Sequence, residues 1–227
     1  MQPQRSDVAA AQPAPPKKLT AAQARRVAAR SSILRAAREL IAEDGFAGAQ
    51  VSLIAVRAGV GVGSIYKHFP SRAELFAEIY RDVAAREFAR VQAAVAETDG
   101  GTGPRIAAAV ATFCARALRG GRFAYALLVE HSEPDVDERR LAFREGYRTL
   151  FRELLDQGIE DGEIPDQDTD TVAAALLGIM TETLVRPLAD LAEKKDSQAL
   201  IRQVVNLCLA TVQARELGQP DVDRRQA

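Results

Sequence analysis

The chain has 227 residues, of which 47% are hydrophobic and 27% charged, which is enough to bury one or two compact cores and too apolar for a wholly disordered chain. Aromatic residues make up 5%, Trp is absent and Ala, the best helix former, is abundant, so an all-α protein is predicted and a β-sandwich or β-barrel is disfavoured. Residues 1–72 hold eleven basic and four acidic side chains, a net charge of +7 that leaves −8 for the remainder. A basic first third fits contact with a polyanion, although solvated helix faces would explain the same charges.

Other features argue against a secreted, membrane or metal-binding protein. No apolar run approaches the ~20 residues that span a bilayer, and residues 1–16 lack the apolar segment of a secretory signal. Cys114 and Cys208 lie in segments of apolar periodicity and are expected to be buried, reduced thiols. Two His and two distant Cys do not make a zinc-ligand set. We therefore expect a cytoplasmic protein that contacts no membrane and holds no metal or other cofactor.

Hydrophobic periodicity and helix-breaking residues predict about nine helices. Gly45 and Phe46 suit a helix end, Ser71 and Glu74 form a capping box, and Pro187 should kink or shorten the eighth helix. The predicted helices cover residues 21–44, 51–58, 62–69, 71–97, 104–119, 122–131, 135–160, 168–191 and 197–216.

These helices divide into two domains. The first, residues 21–72, is a basic three-helix unit, and the second, residues 73–216, is the larger helical domain. Disordered tails are expected at residues 1–20 and 217–227. The long helix at residues 71–97 lies at the junction and should be shared by both domains.

Two short helices joined by a glycine, inside the basic unit, match the helix-turn-helix pattern. Ala55 is small where the two helices must approach closely, and Gly59 stands in the turn, where a positive φ is often needed. Ile54, Val60 and Ile65 are the expected buried contacts. The pattern predicts a DNA-binding unit whose second short helix enters the major groove.

At about 100° per residue, this second helix has two distinct faces. Ile65 and Phe69 fall together, with Val62 beside them, and are expected to face inward. The opposite face and its borders comprise Gly63, Ser64, Tyr66, Lys67 and His68. A small, hydrogen-bonding face with a central cation suits base-edge contacts at its centre and phosphate contacts at its borders.

Residues 59–76 read Gly-Val-Gly-Val-Gly-Ser-Ile-Tyr-Lys-His-Phe-Pro-Ser-Arg-Ala-Glu-Leu-Phe. They resemble the recognition segment of the tetracycline-repressor (TetR) family, which typically reads A-G-V-S-x-G-T-L-Y-x-H-F-x-S-K-E-E-L. The stretch from Ile33 to Ile54 also fits, so the close match covers residues 25–76, and the remainder fits in length and helical pattern only. The resemblance implies a ligand-responsive transcriptional regulator: a repressor that binds a pseudo-palindromic operator as a dimer and is released by a small-molecule effector.

Carried over to this sequence, the resemblance implies phosphate contacts from Tyr66, His68 and Arg72. It implies base-edge contacts from Ser52, Val62, Gly63, Ser64 and Lys67. The basic arm is expected to touch the DNA backbone or minor groove through Lys17, Lys18, Arg25 and Arg26. Two positions depart from the family pattern, because Gly61 replaces a capping Ser and Gln50 replaces a capping Thr. A glycine cap costs only a few tenths of a kcal/mol, whereas Gln is a poorer cap.

In this family the larger domain binds a small molecule, and its last two helices form a dimeric four-helix bundle. Candidate ligand contacts are Phe113, Phe123, Tyr125, Glu130, Phe143, Arg144, Tyr147, Phe151, Met180 and Glu182. Candidate dimer contacts are the small and aliphatic residues Val172, Ala175, Leu176, Ile179, Leu200, Val204, Leu207, Cys208 and Val212. Core packing within a single chain would give the same helical spacing for both sets.

Competing functions have weaker support. The glycines at residues 59–64 do not have the spacing of a phosphate-binding loop, and the segment before them is helical. A G-x-S-x-G motif is absent and only His68 and His131 could act as bases, so we expect no enzyme. The acidic residues around His131 suit a metal site less well than a polar loop at a helix end. A helical DNA-binding protein without an effector and a purely structural scaffold remain as alternatives.

Overall fold

A computed structural model describes residues 20–190 and 196–213, which contain helices and no strand, as the composition predicts. Four helices form the N-terminal part and four the C-terminal part of these residues. They are α1 (Ala21–Gly48), α2 (Val51–Ala58), α3 (Val62–His68), α4 (Arg72–Ala96), α5 (Thr102–Leu128), α6 (Pro134–Glu160), α7 (Thr169–Ala189) and α8 (Ser197–Val212). The predicted tails and the basic pair Lys17–Lys18 lie outside the described residues.

The described residues have one helix fewer than predicted because α5 joins two predicted helices. Its backbone leaves helical geometry at Gly121, with φ 53° and ψ −129°, so α5 has two arms that meet at an angle. Helix α1 bends in the same way at Gly45, with φ 73° and ψ −173°. The predicted breaks at these glycines are therefore present as bends. Helix α7, by contrast, continues past Pro187 to Ala189.

The side chains pack into two hydrophobic cores. The N-terminal core joins α1 to α4 around residues such as Ile33, Ile65 and Phe76, and it also takes in Leu127 and Val136 from the larger domain. The C-terminal core is built from α4 to α8. Because α4 contributes to both cores, and because the end of α5 reaches into the first, two segments connect the domains.

The two cysteines lie in the C-terminal core as free, buried thiols, as predicted. Burial raises the pKa of the Cys114 thiol to about 12, with a smaller contribution from Cys208. Burial alone raises the pKa of Cys208 to about 11. Both side chains therefore remain protonated and unreactive at neutral pH.

The sequence analysis predicted no apolar run long enough to span a bilayer. Helix α7 is nevertheless apolar enough to cross a membrane by length and composition alone, with a mean hydropathy of 1.4. It packs against α5, α6 and α8, so the described structure uses it as a core helix. Its apolar residues are needed there to fill the space between three neighbours.

The predicted dimer contacts also need correction. Four of them are buried within this chain's own core and have no surface to offer a partner, namely Leu176, Val204, Cys208 and Val212. Val172, Ile179 and Leu200 are partly buried against the same core. Leu207, which is 49% exposed, and the partly buried Ala175 remain at the surface. Helical spacing alone could not separate the core face from an interface face.

Candidate nucleic-acid interface and adjoining cavity

The turn between α2 and α3 fixes the angle at which α3 projects from the domain. Gly59 adopts the left-handed conformation, with φ 68° and ψ 33°, and its N–H caps the carbonyl groups at the end of α2. The N–H of Val60 donates to the carbonyl oxygen of Ala55 at 3.0 Å. Ile54 and Ile65 are fully buried beneath the turn, as predicted, whereas Val60 is only partly buried.

The outward face of α3 carries the predicted set of residues. Gly63, Tyr66 and Lys67 are exposed, and Ser64 and His68 are partly exposed. A Cβ atom added at Gly63 would meet nothing within 4 Å, so this glycine leaves room for close approach of a DNA backbone.

Two features of this surface differ from the sequence-based view. Helix periodicity predicted that Val62 faces inward, whereas the resemblance implied a base-edge contact. Val62 is 42% exposed and joins the outward face. Leu53 and Val56 on α2 are 46% and 80% exposed beside the exposed Ser52, and the sequence analysis missed both. Exposed aliphatic side chains next to a recognition helix suit contact with thymine methyl groups.

The two unusual caps behave as their residue types predict. Neither Gln50 nor Gly61 makes a side-chain capping hydrogen bond. Backbone bonds begin each helix instead, from Ile54 N–H to the Gln50 carbonyl at 2.9 Å and from Ser64 N–H to the Gly61 carbonyl at 2.8 Å. The amide groups at the start of α2 and α3 are therefore less fully satisfied than in a Ser- or Thr-capped helix.

Cations of α1 lie close to the recognition helix. Burial, followed by the charges of Arg26 and Arg30, lowers the pKa of His68 below its usual value. Arg30 forms an ion pair with Glu78 and lies 4.9 Å from the centroid of the Phe69 ring. Arg25 and Arg26 are exposed, so both are accessible to a polyanion beside α3.

Arg72 lies elsewhere than its predicted role requires. Its guanidinium donates to the Glu133 carboxylate at 2.8 Å and to the Phe46 carbonyl oxygen at 2.6 Å. It also lies 4.7 Å from the centroid of the Phe76 ring. These contacts direct Arg72 toward the larger domain, so we reassign it from a phosphate contact to an interdomain contact.

Glu130 completes this connection, which we call the interdomain clamp (Arg72, Glu130 and Glu133 around Phe46). Its carboxylate accepts a hydrogen bond from the Phe46 N–H at 3.1 Å and pairs with Arg122. Both backbone polar groups of Phe46, at the bend of α1, are thus held by side chains outside α1. The clamp joins the DNA-binding unit to the end of α5 and the loop after it.

An apolar cavity of about 130 Å³, the inner cavity, lies between α4, α5 and α6. The second arm of α5, residues 122–128, forms one wall through Phe123, Ala124, Leu127 and Leu128. The same arm ends at Val129, next to Glu130, so it connects the cavity wall to the interdomain clamp. The predicted ligand residues on its lining are Phe113, Phe123, Phe143 and Tyr147.

Polar side chains line the inner cavity and a second cavity beside it. Glu87 and Arg116, which the sequence analysis missed, line the inner cavity as an ion pair with two hydrogen bonds. A second, outer cavity of about 40 Å³ shares Tyr80, Phe143 and Tyr147 with the inner one. It is also lined by the predicted ligand residue Arg144.

Five predicted ligand residues do not line either cavity. Phe151 and Met180 are fully buried in the core, where they fill space between helices. Glu182 is exposed, Tyr125 lies beneath the Arg122 guanidinium at 5.2 Å, and Glu130 belongs to the interdomain clamp. Aromatic spacing identified this part of the domain, but only packing decides which rings border a cavity.

Within residues 20–190 and 196–213, no three His, Cys, Asp or Glu side chains are grouped so as to hold a metal ion. The acidic residues near His131 have other partners, since Glu130 and Glu133 belong to the interdomain clamp. Their proximity in sequence therefore reflects domain contact.

Comparison with known proteins gives two family matches. Residues 33–79 match the model described as bacterial regulatory proteins, tetR family. Residues 100–184 match the model described as tetracyclin repressor-like, C-terminal domain. The first covers the helix-turn-helix unit and the start of α4, and the second covers the cavity walls on α5, α6 and α7 and the interdomain clamp residues Glu130 and Glu133.

Relatives cover most of the chain. The fatty acid metabolism regulator protein of Bacillus subtilis (strain 168) is 24% identical over 183 residues, which cover 79% of this chain and 93% of the relative. A crystal structure of the transcriptional regulator FadR from Bacillus subtilis in complex with stearoyl-CoA has 24% identity and a TM-score of 0.70, and the match covers 80% of this chain and 98% of that one. The fatty acid degradation regulator FadR from Bacillus halodurans has 24% identity and a TM-score of 0.71, and covers 88% and 100%.

These structural matches show a shared fold, and the two family models extend it to a shared class of protein. Both domains match in their expected order along the chain, with the helix-turn-helix first. The resemblance carried by residues 59–76 is thereby confirmed independently. The chain belongs to the tetR family of bacterial regulatory proteins and is a ligand-responsive, DNA-binding transcriptional regulator.

Proposed function

We propose that this protein is a cytoplasmic repressor that binds a pseudo-palindromic operator as a homodimer and leaves it when a long-chain acyl compound enters the inner cavity. The observation that carries the proposal is the double role of the second arm of α5, which walls the cavity and ends at the interdomain clamp. One rigid segment can thus transmit occupancy of the cavity to the DNA-binding unit. No catalytic role is proposed.

The DNA-binding part of the proposal assigns two roles to the outward face. Ser64, Lys67 and Val62 project from α3 and are positioned for base edges, with Leu53 and Val56 as additional contacts to thymine methyl groups. Tyr66, His68 and Arg26 border this face and suit phosphate groups. In a dimer, two such faces would enter successive major grooves about 34–36 Å apart.

The dimer is proposed to form through the outer faces of α7 and α8. Surface residues there include the partly buried Ala175 and Ile179 on α7 and the exposed Asn206, Leu207 and Ala210 on α8. Small residues allow two helices to pack closely. This assignment replaces the buried positions that the sequence favoured.

The effector class follows from the lining of the inner cavity and from the relatives. Its walls are mainly aliphatic and aromatic, which favours an alkyl chain over a polar molecule. A structurally similar regulator was crystallised with stearoyl-CoA. A volume of about 130 Å³ is too small for a long chain, so binding requires the cavity walls to move apart. That movement is the source of the proposed coupling.

The coupling acts through the interdomain clamp. A chain inserted against Phe123 and Leu127 displaces the second arm of α5 about its bend at Gly121. Glu130 then shifts relative to Phe46, and the α1 bend and α3 shift with it. A ligand changes this equilibrium only through its different affinities for the two states, with a typical coupling of ~1–3 kcal/mol.

The test uses the purified full-length chain in two steps. Selection from a random duplex library should enrich a pseudo-palindromic site, and fluorescence anisotropy should then give the affinity of that site with and without stearoyl-CoA. We expect stearoyl-CoA to weaken operator binding about 5–150-fold. Failure to enrich any site would contradict the DNA-binding assignment, and an unchanged affinity would contradict the proposed effector class.

A further inference from the structure

We propose that the inner cavity, the outer cavity and the surface groove beside them form one binding channel for an amphiphile with a single alkyl chain and an anionic head. The tail lies in the inner cavity, and the head binds at Arg144 between α6 and α7. This inference rests on the proposed function, and it adds the direction of the ligand and the residue that holds its charge.

The three spaces adjoin one another along shared walls. The inner and outer cavities have Tyr80, Phe113, Leu128, Phe143 and Tyr147 in common, and the four aromatic side chains among them form the partition between the two spaces. The partition is built from two edge-on ring pairs, Tyr80 with Phe143 at 5.9 Å and Phe113 with Tyr147 at 5.4 Å between ring centroids. Because the rings are side chains and not backbone, changes of rotamer can open the partition without unfolding a helix.

The outer cavity borders a groove at the surface. It shares Arg144 and Leu177 with an open groove of about 530 Å³ between α6 and α7. Leu141, which is 67% exposed, and Arg148 also line this groove. A flexible chain can therefore run from solvent, past Arg144, through the partition and into the apolar interior.

Charge identifies which end of the channel holds the head. In the described ranges, no carboxylate lies within 4.0 Å of the Arg144 guanidinium, whose hydrogen bond to the Thr181 hydroxyl is long at 3.5 Å. Arg116 at the other end is neutralised by Glu87 through two hydrogen bonds. Arg140, also on the outer cavity, is paired with Asp137 at 2.6 Å. Among the arginines that line the two cavities, Arg144 is thus the one without a carboxylate partner. A guanidinium group binds phosphate and carboxylate well.

The groove offers a further donor to the head. Arg148 pairs with Glu145 at 3.0 Å through one terminal nitrogen, but its buried Nε has no hydrogen-bond partner among the described residues. Both Arg144 and Arg148 lie on α6 one turn apart, so they can bind one anionic group together.

The test compares arginine variants in the full-length protein, with binding of stearoyl-CoA and of stearate measured by isothermal titration calorimetry. Arg144→Gln should weaken stearoyl-CoA binding about tenfold or more, since it removes a charge-assisted hydrogen bond. Arg139→Gln is the matched control, because Arg139 is an exposed arginine of the same helix that lines neither cavity, and it should leave the affinity unchanged. If stearate and stearoyl-CoA both lose affinity in Arg144→Gln, Arg144 binds the polar group at the end of the alkyl chain; if only stearoyl-CoA does, Arg144 binds the phosphate groups of coenzyme A.

A second variant tests the position of the tail. Ala117→Phe adds a ring to the inner cavity and should weaken long-chain ligands about tenfold or more, while octanoyl-CoA, whose chain is shorter, should lose less. Circular dichroism spectra and melting curves would establish that both variants fold.

The outcomes separate this inference from the function on which it rests. If the unmodified chain binds neither stearate nor stearoyl-CoA, the proposed effector class fails. If it binds them but Arg116→Gln abolishes binding while Arg144→Gln does not, the head lies at the opposite end and the channel direction proposed here is overturned. Equal effects of Arg144→Gln and Arg139→Gln would overturn the assignment of Arg144 as the residue that binds the head.

Discussion

Individual side chains on α3 have separable roles in DNA recognition. Lys67→Ala and Ser64→Ala should change which operator sequences are preferred, because these side chains are placed for base edges. Tyr66→Phe should weaken binding to all sequences by similar factors, because a phosphate contact carries no sequence information. Affinities for the selected operator and for single-base variants would provide the measurement. A uniform loss in Lys67→Ala would contradict the assignment of faces.

His68 gives DNA binding a dependence on pH whose sign can be worked out. In the free protein, burial and the nearby charges of Arg26 and Arg30 lower the pKa of His68, so the imidazole is neutral at pH 7. A bound phosphate favours the imidazolium and raises that pKa, so binding takes up a proton. Operator affinity should therefore rise as the pH falls from the raised pKa of the complex to the lowered pKa of the free protein, and should level off below it. Affinity titrations at several pH values should show this trend, and His68→Gln should flatten it.

Residue roles were predictable from sequence where they depend on local helix geometry. The exposed positions Lys67 and Tyr66 follow from the 100° rotation per residue and from the burial of Ile65. Arg72 was misassigned because its partners, Glu133 and the Phe46 carbonyl, are far away in sequence. A cation at the start of a helix looks the same in sequence whether it faces DNA or another domain.

At the scale of elements, the bend of α1 is expected to affect both the stability of the protein and its response to the ligand. Gly45 has φ 73°, and a Cβ atom there would clash with a carboxylate oxygen of Glu130 and lie 2.7 Å from a guanidinium nitrogen of Arg122. Gly45→Ala should lower the free energy of unfolding by ~1–3 kcal/mol because of the strained backbone. It should also displace Glu130 from Phe46, so the effect of stearoyl-CoA on operator affinity should shrink.

Gly59→Ala is the matched control for that variant. Gly59 has a similar φ of 68°, but a Cβ atom there would meet nothing within 4 Å. Urea denaturation should show a comparable loss of stability in both variants, whereas coupling should be reduced only in Gly45→Ala. Equal loss of coupling in the two would mean that general destabilisation, and not the interdomain clamp, is responsible.

Helix boundaries were predicted well where a breaker acts locally and less well where packing decides. The breaks at Gly45 and Gly121 appear as bends with positive φ. Pro187 did not end α7, because Leu184 and Leu188 on either side of it are buried in the core and hold the helix in place. For α7 and α8, one apolar face was visible in the sequence, but the tertiary fold determined that Leu176 and Val204 face inward.

At the scale of the whole molecule, charge should govern how tightly the protein holds DNA. The first third of the sequence carries a net charge of +7 and the remainder −8, so a polyanion is attracted to the first and repelled by the second. Operator affinity should fall steeply with salt, by about 10³–10⁵-fold between 50 and 200 mM if 6–10 phosphate groups are contacted. Deleting residues 1–18 should reduce the salt slope, since it removes Lys17 and Lys18. Anisotropy titrations at several salt concentrations would show both effects, and a salt-independent affinity would contradict the model of DNA binding.

The two buried thiols make one domain of this protein chemically distinguishable from the other. Cys114 and Cys208 are the only cysteines of the chain, and both lie in the C-terminal core. Alkylation can reach them only when that core opens, so the rate of labelling reports local opening of the effector domain while the helix-turn-helix contributes no signal. The labelling rate of these two cysteines therefore measures the stability of the C-terminal domain alone. Slower labelling in the presence of a bound acyl chain would give the free energy of binding without any operator in the sample.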